Sequence, residues 1–373
     1  MSVHVGKMSP LTCSHPRNTA PELDPRVKDR LTPRFWVITC ISNPARYKTR
    51  HALYRTFRKH VLEDLGAGLL TVECALNDLD FQVTPSQCPC PCDDGNVNDV
   101  AVRGTHHNGT PFIDVRVRNR SWVWLKESLW NVGINHLPHD CEFVMFCDAD
   151  IHFDNPHIVH ETIVALQTHK VVQPWYHCLD LGPRDEVLQF HQSFLSCHVE
   201  GLEWKLAKCI DKHGKPYYTQ KGKGGGPNLW HPGYCVAWRM SALRKMQLLD
   251  VGVLGAGDHH MMGALIGKFE FTLPNRINPN YRKAVEKWQQ RANDVVRRDV
   301  GFVDGTIRHF WHGPKAKRNY IGRWDVLVKN DFDPEADVFR NEFGVLEIHV
   351  ERVVLRDDIR RYLTSRCEDS IDK

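Results

Sequence analysis

Residues 1–33 show no apolar period and are rich in proline and polar side chains, so they read as a loose N-terminal tail. A continuous apolar run at 35–41 (FWVITCI) then marks a strand buried on both faces. Ser42-Asn43-Pro44 turns it into a helix over 45–65, with Tyr47, His51, Tyr54, Phe57 and Val61 on one face. A second apolar run at 69–75 completes a β-α-β opening, the pattern of a parallel nucleotide-binding sheet. Order dissolves over 82–110, which reads as an insertion loop, and strand character resumes at 112–117. From Asn119 or Ser121 a helix runs to Ile134, with Leu125, Leu129 and Val132 turned inward and Trp124, Lys126 and Glu127 near its start.

The most informative stretch follows at 142–156, EFVMFCDADIHFDNP. Its apolar run ends abruptly in Asp148-Ala149-Asp150, and alternation along an extended segment predicts both carboxylates on one side of a strand's carboxyl end. Like charges that close repel unless a cation lies between them, and ligands bind at this end of open α/β sheets. Asn155 and Pro156 then offer the cap and first turn of a helix with Ile158, Val159, Thr162, Ile163 and Leu166 at helical spacing, before another strand at 171–173. Between Trp175 and Lys221, His177, Asp180, Asp185, His191 and His198 make no recognisable ligand spacing.

Residues 221–230, six of whose first seven are glycine or lysine and which end in Trp230, suit a mobile lid with an aromatic tip, a phosphate-contacting loop or an inert loop. No G-x-x-x-x-G-K-[ST] is present. A strand at 234–238 and a helix at 242–248 capped by Ser241 come next. Gly255-Ala256-Gly257-Asp258 then opens a further helix, where Asp258 either meets a ligand or serves as the N-cap. His309 and His312, with Lys315, Lys317 and Arg318 behind them, suit both a metal and a diphosphate. Residues from Arg340 on carry no site signal.

Composition narrows the class. A chain of 373 residues, 42% hydrophobic, has enough apolar residues for a sizeable core. No apolar stretch approaches a bilayer span and no signal-peptide core is visible, so the expectation is a soluble cytoplasmic protein without membrane insertion. Thirteen scattered cysteines argue for reduced thiols rather than a disulfide framework. Cys88, Cys90 and Cys92 are close enough for a soft metal, but their one-residue spacing also fits a variable insertion. A net charge of +4 does not point to nucleic acid. Arg46, Lys48 and Arg50, in the first turns of their helix, fit either a diphosphate or a solvated face.

In this order of elements the chain resembles glycosyltransferases of the GT-A fold, an α/β fold with a mostly parallel sheet flanked by helices, and within them the β-1,4-galactosyltransferase type. The resemblance covers residues 35–325 and rests on WLKESLWNVGI (124–134), FVMFCDAD (143–150), HPGYCVAWRMSAL (231–243) and GAGDHH (255–260), with His309 or His312 as that type's late histidine. It implies a GT-A domain over 34–330 and a C-terminal extension over 331–373. It implies a nucleotide-diphosphate sugar donor, a UDP-sugar in that type, and a hydroxyl acceptor that is not specified and could be a glycan, lipid, protein or nucleic acid. Mn²⁺ or Mg²⁺ would be held by Asp150, by Asp148 on the metal or the ribose, and by His312, and would stabilise the departing diphosphate. Arg46, Lys126, Trp230, Lys315 and Arg318 would contact the donor, and Asp258 would be the base of an inverting transfer. The chain departs from the type in having Asp-His-His where a Glu-Asp-Asp run stands, and no apolar stretch in it suggests the expected membrane anchor. A nucleotidyltransferase, or a non-catalytic sugar-nucleotide-binding module, would share the acidic pair and the metal.

Overall fold

The computed structural model describes residues 32–83, 101–201, 230–320 and 322–372. In chain order the first half comprises β1 (Phe35–Ser42), α1 (Lys48–Lys59), β2 (Gly68–Leu76), β3 (Ala101–Thr105), β4 (Pro111–Asn119) and α2 (Lys126–Ile134). Next come β5 (Phe143–Cys147), β6 (Ile151–Phe153), α3 (Ile158–Thr168), β7 (Val171–Gln173), β8 (His177–Leu181), β9 (Val187–Ser193) and α4 (Phe194–Val199). The second half continues with β10 (Trp230–His231), β11 (Cys235–Arg239), α5 (Met240–Met246), α6 (Gly257–Leu265) and α7 (Pro279–Val295). It ends with β12 (Val300–Phe302), β13 (Thr306–His309), α8 (Arg323–Lys329), β14 (Val338–Arg340), β15 (Leu346–Ile348) and α9 (Val353–Thr364).

Eight strands form one sheet in the order β12-β7-β11-β5-β1-β2-β4-β3, in which only β11 and β3 run antiparallel to their neighbours. The expected α/β architecture, a mostly parallel sheet flanked by helices, is therefore present. Its central strands are buried on both faces, and alternation divides them between two cores. Phe35 and Val37 of β1, with Phe143, Met145 and Cys147 of β5, face the layer that holds Phe57 of α1 and Ile163 of α3. Trp36, Ile38, Val144 and Phe146 face the opposite layer, with Leu129 of α2, Leu243 of α5, Leu265 of α6 and Trp288 of α7. Helix α2 lies so near the sheet that a Cβ on Gly133 would stand 3.0–3.2 Å from Leu70, Val72 and Ile38. A second sheet, β10-β9-β8-β13-β6, stands beyond the carboxyl ends of β1 and β5.

Several boundaries differ from the sequence expectation. Helix α1 begins at Lys48 rather than 45, because Arg46 takes a left-handed φ of 57° in a turn whose N–H donates to the Asn43 carbonyl at 3.0 Å. Its continuation over His60–Asp64 widens into a π-turn. Helix α2 starts at Lys126, not at Asn119 or Ser121, and α5 starts at Met240 without a Ser241 cap. The expected insertion over 82–110 includes β3, which pairs antiparallel with β4; its short polar AVRGT sequence hides the strand. The cysteine triplet Cys88, Cys90, Cys92 and the glycine-rich 221–229 lie outside the described residues. The expected extension over 331–373 is not a separate unit: Leu346, Ile348, Leu355 and Ile359 belong to the same core as Trp36 and Trp288. No helix among the described residues is long and apolar enough to cross a membrane.

Candidate active site

β5 delivers the acidic pair. The Asp148 N–H donates to the Tyr234 carbonyl at 2.8 Å and the Thr39 hydroxyl donates to the Cys147 carbonyl at 2.9 Å, which fixes the strand end between β1 and β11. The chain then turns at Asp148-Ala149-Asp150 and reverses into β6, which pairs antiparallel with β13. The turn corrects the expectation of two carboxylates side by side on an extended strand. Asp148 meets Lys126, whereas Asp150 meets His309 at the end of β13 and His312 just after it.

Asp150, His309 and His312 converge so that one ligand atom from each lies within 4.8 Å of the others. The Nε2 atoms of the two histidines are 3.1 Å apart, and Asp150 Oδ2 and Oδ1 stand 3.2 Å from His312 Nε2 and 3.8 Å from His309 Nε2. Cis ligands bonded at about 2.0–2.2 Å are about 3 Å apart, so this spacing fits a single small cation. The backing fits as well. His309 Nδ1 lies 2.7 Å from buried Asp180, which orients Nε2 toward the cluster, and His312 Nδ1 lies 3.9 Å from buried Glu368. Asp150 Oδ1 is buried without a hydrogen-bond partner among the described residues. Burial pushes His309 down to about 4 and His312 well below the usual imidazole range, leaving both neutral and able to ligate.

This arrangement alters two expectations about the metal. Asp148 is not in the convergent set; its nearest charge is Lys126 Nζ at 3.2 Å. His309 and His312 converge on Asp150 together instead of as alternatives, so the cluster offers two nitrogens and one oxygen. That set suits Mn²⁺ and its imidazole-binding neighbours better than Mg²⁺, which prefers oxygen.

Across the cleft, Lys126 lies between two carboxylates, 3.2 Å from Asp148 and 3.3 Å from Asp258. Burial and the neighbouring Asp150 and Asp258 outweigh Lys126 at Asp148 and push its carboxyl up to about 6. At Asp258 burial also works upward, but Lys126, His231 and the His259 N–H hold the group well below the usual carboxylate range. The environment separates two carboxylates that share one ammonium. Asp258 is not the helix cap: that position belongs to Ala256, at a left-handed φ of 77°, and Asp258 sits in the first turn of α6 with Oδ1 2.8 Å from the His259 N–H. Gly233 makes room for it, since a Cβ there would stand 2.4 Å from Asp258 Oδ2. Its neighbour Tyr234, with φ at 70°, stacks on His231 at 3.9 Å, an unusual conformation for a bulky residue and one that clusters at functional sites.

The remaining wall is basic, with burial and then Arg318 pushing the Lys315 ammonium down to about 7. Lys315, Arg318 and Arg50 line the same cleft as Asp148, Asp150 and Asp258, together with Trp122 and Trp124. Lys315 pairs with Asp180, and Arg318 is 6% exposed with Nη1 3.2 Å from the Tyr320 hydroxyl. Arg50 makes a two-pronged pair with Glu368, which also accepts from Arg366 at 2.7 Å.

Three expected donor contacts fall elsewhere. Arg46 is exposed on the turn before α1 and is not in the cleft; Arg50, one helical turn further on, takes that place. Trp230 is not a lid tip: it is 5% exposed, paired in β10 and packed on Phe194 at 5.1 Å and His259 at 5.4 Å. Lys317 is exposed and does not line the cleft. Glu368 and Arg366 were missed altogether, because a polar tail without periodicity gives no local sign of where it packs. Asp180 and His191, visible only as unassigned polar residues, reach the site through β8 and β9.

No protein-family model and no curated protein matches the chain. Solved structures do. A protein assigned as a nucleotide-diphospho-sugar transferase from Desulfovibrio desulfuricans is 12% identical over 80% of this chain and 95% of its own, with a TM-score of 0.30. The S. aureus TarS fragment is 14% identical over 62% of this chain and 55% of its own, with a TM-score of 0.29. The catalytic domain of Drosophila β1,4-galactosyltransferase 7, solved with xylobiose, is 7% identical over 89% of this chain and 98% of its own, with a TM-score of 0.30. At such scores the likeness is distant, and the functional reading below rests on the cleft.

Proposed function

We propose that the protein is a glycosyltransferase of GT-A architecture that moves a sugar from a nucleotide-diphosphate donor, UDP-sugars foremost, to a hydroxyl acceptor with the help of Mn²⁺. The observation that carries this reading is the convergence of Asp150, His309 and His312 around a buried Asp150 oxygen that has no hydrogen-bond partner among the described residues, in a cleft that also holds Arg50, Lys315 and Arg318 at the carboxyl ends of β1 and β5. A carboxylate, two neutral imidazoles and adjacent cations suit a metal-bound diphosphate.

A bound cation would supply charge neutralisation at the diphosphate. Asp150, His309 and His312 would hold the cation, and Lys315 and Arg318 would face the phosphate oxygens. Lys126, already shared by two carboxylates, would keep Asp148 turned toward the donor side. The bond between the anomeric carbon and the diphosphate oxygen breaks, the acceptor oxygen bonds to that carbon, and its proton passes to Asp258. Asp258 is ionised throughout the physiological range. Its pairing with Lys126 makes it a weak base at rest, so release of Lys126 toward the donor would raise its basicity.

The test is calorimetry of UDP with and without Mn²⁺, followed by a screen of nucleotide-sugars for metal-dependent release of the nucleoside diphosphate. Binding that requires Mn²⁺, with a nucleoside diphosphate as product, supports the reading. Pyrophosphate as product would assign the cleft to nucleotidyl transfer, and metal-dependent binding without turnover of any nucleotide-sugar would make it a binding module.

A further inference from the structure

At the opposite end of the parallel strands from Asp148, the turn between β3 and β4 carries His106 and His107 against Glu63, the fourth residue of the π-turn after α1. One ligand atom from each of these residues lies within 4.8 Å of the others, and His106 Nε2 is 3.7 Å from Glu63 Oε1. The two imidazole rings are 4.1 Å apart. Two ligands bonded to zinc at about 2.0–2.1 Å with tetrahedral angles stand about 3.4 Å apart, so small side-chain rotations close this set on an ion.

The backbone beneath it is fixed. The turn is closed by the His106 N–H donating to the Thr110 carbonyl at 2.8 Å and the Gly109 N–H donating to the His106 carbonyl at 2.8 Å. Asn108 Nδ2 and the Thr110 hydroxyl both donate to the Leu62 carbonyl, at 2.7 and 3.1 Å, so the turn is clamped to the residue preceding Glu63. Asn108 Oδ1 lies 3.3 Å from His106 Nδ1, an acceptor that favours a proton on Nδ1 and a free Nε2 facing Glu63. Glu63 is likewise divided between partners. Lys59 Nζ lies 3.8 Å from Oε2, which leaves Oε1 for the histidine side. Asp64 takes no part, because its carboxylate is engaged by His60 at 2.8 Å.

We propose that Glu63, His106 and His107 form a second metal site, separate from the cleft, that binds Zn²⁺ or a divalent ion of similar ligand preference and fastens the β3–β4 turn to the end of α1. Two imidazoles and one carboxylate with water as the fourth ligand is a common zinc set. The site does not depend on the reaction proposed above. An ion held by the folded protein alone raises the melting temperature, and the rise grows with the logarithm of the ion concentration above Kd.

The experiment uses the full chain without a histidine tag, stripped with chelator, in an Asp150→Ala background that disables the cleft cluster. Zn²⁺ alone is titrated by calorimetry and thermal melting, beside the same protein carrying His106→Ala or Glu63→Gln. Both added variants keep all thirteen cysteines, so the difference in stoichiometry counts this site alone. The expected result is one zinc fewer, or binding weaker by about 100-fold or more, with loss of the corresponding zinc-dependent rise in melting temperature. Metal-free melting should be unchanged, because Asn108 and Thr110 rather than His106 clamp the turn. Equal zinc stoichiometry and affinity in parent and variants would overturn the proposal, as would a parent that binds no zinc.

Discussion

The Asp148-Ala149-Asp150 turn serves two neighbouring regions built on opposite electrostatic plans. Around Asp150 the partners are two imidazoles kept neutral by burial, each with a carboxylate behind it, and one carboxylate oxygen has no partner among the described residues. Around Asp148 an ammonium already stands at the centre, with Lys126 spanning Asp148 and Asp258 and buried Glu127 alongside. The first region lacks a positive charge at its centre; the second has one. The proposed divalent cation fits the first, and the proposed proton transfer fits the second.

The largest expected effect tests the second region as a catalytic one. Asp258→Asn should leave Mn²⁺-dependent UDP binding intact and depress transfer by about 10²–10⁴-fold, the usual scale for general base catalysis. Removing its charge leaves Lys126 with Asp148 as the carboxylate still paired to it, so melting should fall as well. Near-normal transfer, measured beside donor affinity on the same protein, would remove Asp258 from the mechanism.

The support behind the first region comes from the chain's end. Glu368 is fully buried between Arg50 and Arg366, so Glu368→Gln leaves two guanidinium groups without their counter-charge and should cost about 3–5 kcal/mol in denaturant unfolding. A loss under about 1 kcal/mol would show that the tail is not part of the structural frame of the cleft.

Glu127 sharpens the comparison through pH. Burial pushes its carboxyl up from the ordinary value to about 7. A raised folded-state value means that its contribution to stability is full below the unfolded pKa of about 4.5 and is lost as pH rises through about 7. Glu127→Gln should flatten that window and make the protein more stable than wild type at pH 8, by an amount on the order of 2 kcal/mol. Parallel stability curves for the two proteins from pH 5 to about 8 would contradict this. The smallest effect serves as the control: Arg46→Ala, on an exposed turn outside the cleft, should change UDP binding and stability by no more than about 0.5 kcal/mol.

The parts legible in the sequence were those carried by local pattern. The runs at β1, β2 and β5 announce a buried parallel sheet, Asp150 stands where an apolar strand stops, and His309 and His312 stand out beside a cluster of cations. Alternation failed at the acidic pair because the chain turns there instead of continuing extended, which sends Asp148 and Asp150 to different partners. Trp230 looked like a lid tip beside a glycine-rich run, yet its indole packs on Phe194 and His259. Arg46 and Arg50 are indistinguishable as basic residues near a helix start until the left-handed turn at Arg46 sets where the helix begins. Glu368 joins Arg50 from 318 residues away, a pairing that only the packing of α9 and the tail brings about.

The central claim is that the first region, and not the second, holds the cation. Calorimetric titration of UDP with Mn²⁺ into wild type, Asp150→Asn and Asp148→Asn tests it directly. The account predicts that Asp150→Asn loses the Mn²⁺-dependent part of UDP binding, while Asp148→Asn retains dependence on Mn²⁺ with at most a weaker affinity for the nucleotide. Undiminished Mn²⁺-dependent binding by Asp150→Asn, or complete loss of it in Asp148→Asn alone, would contradict the assignment.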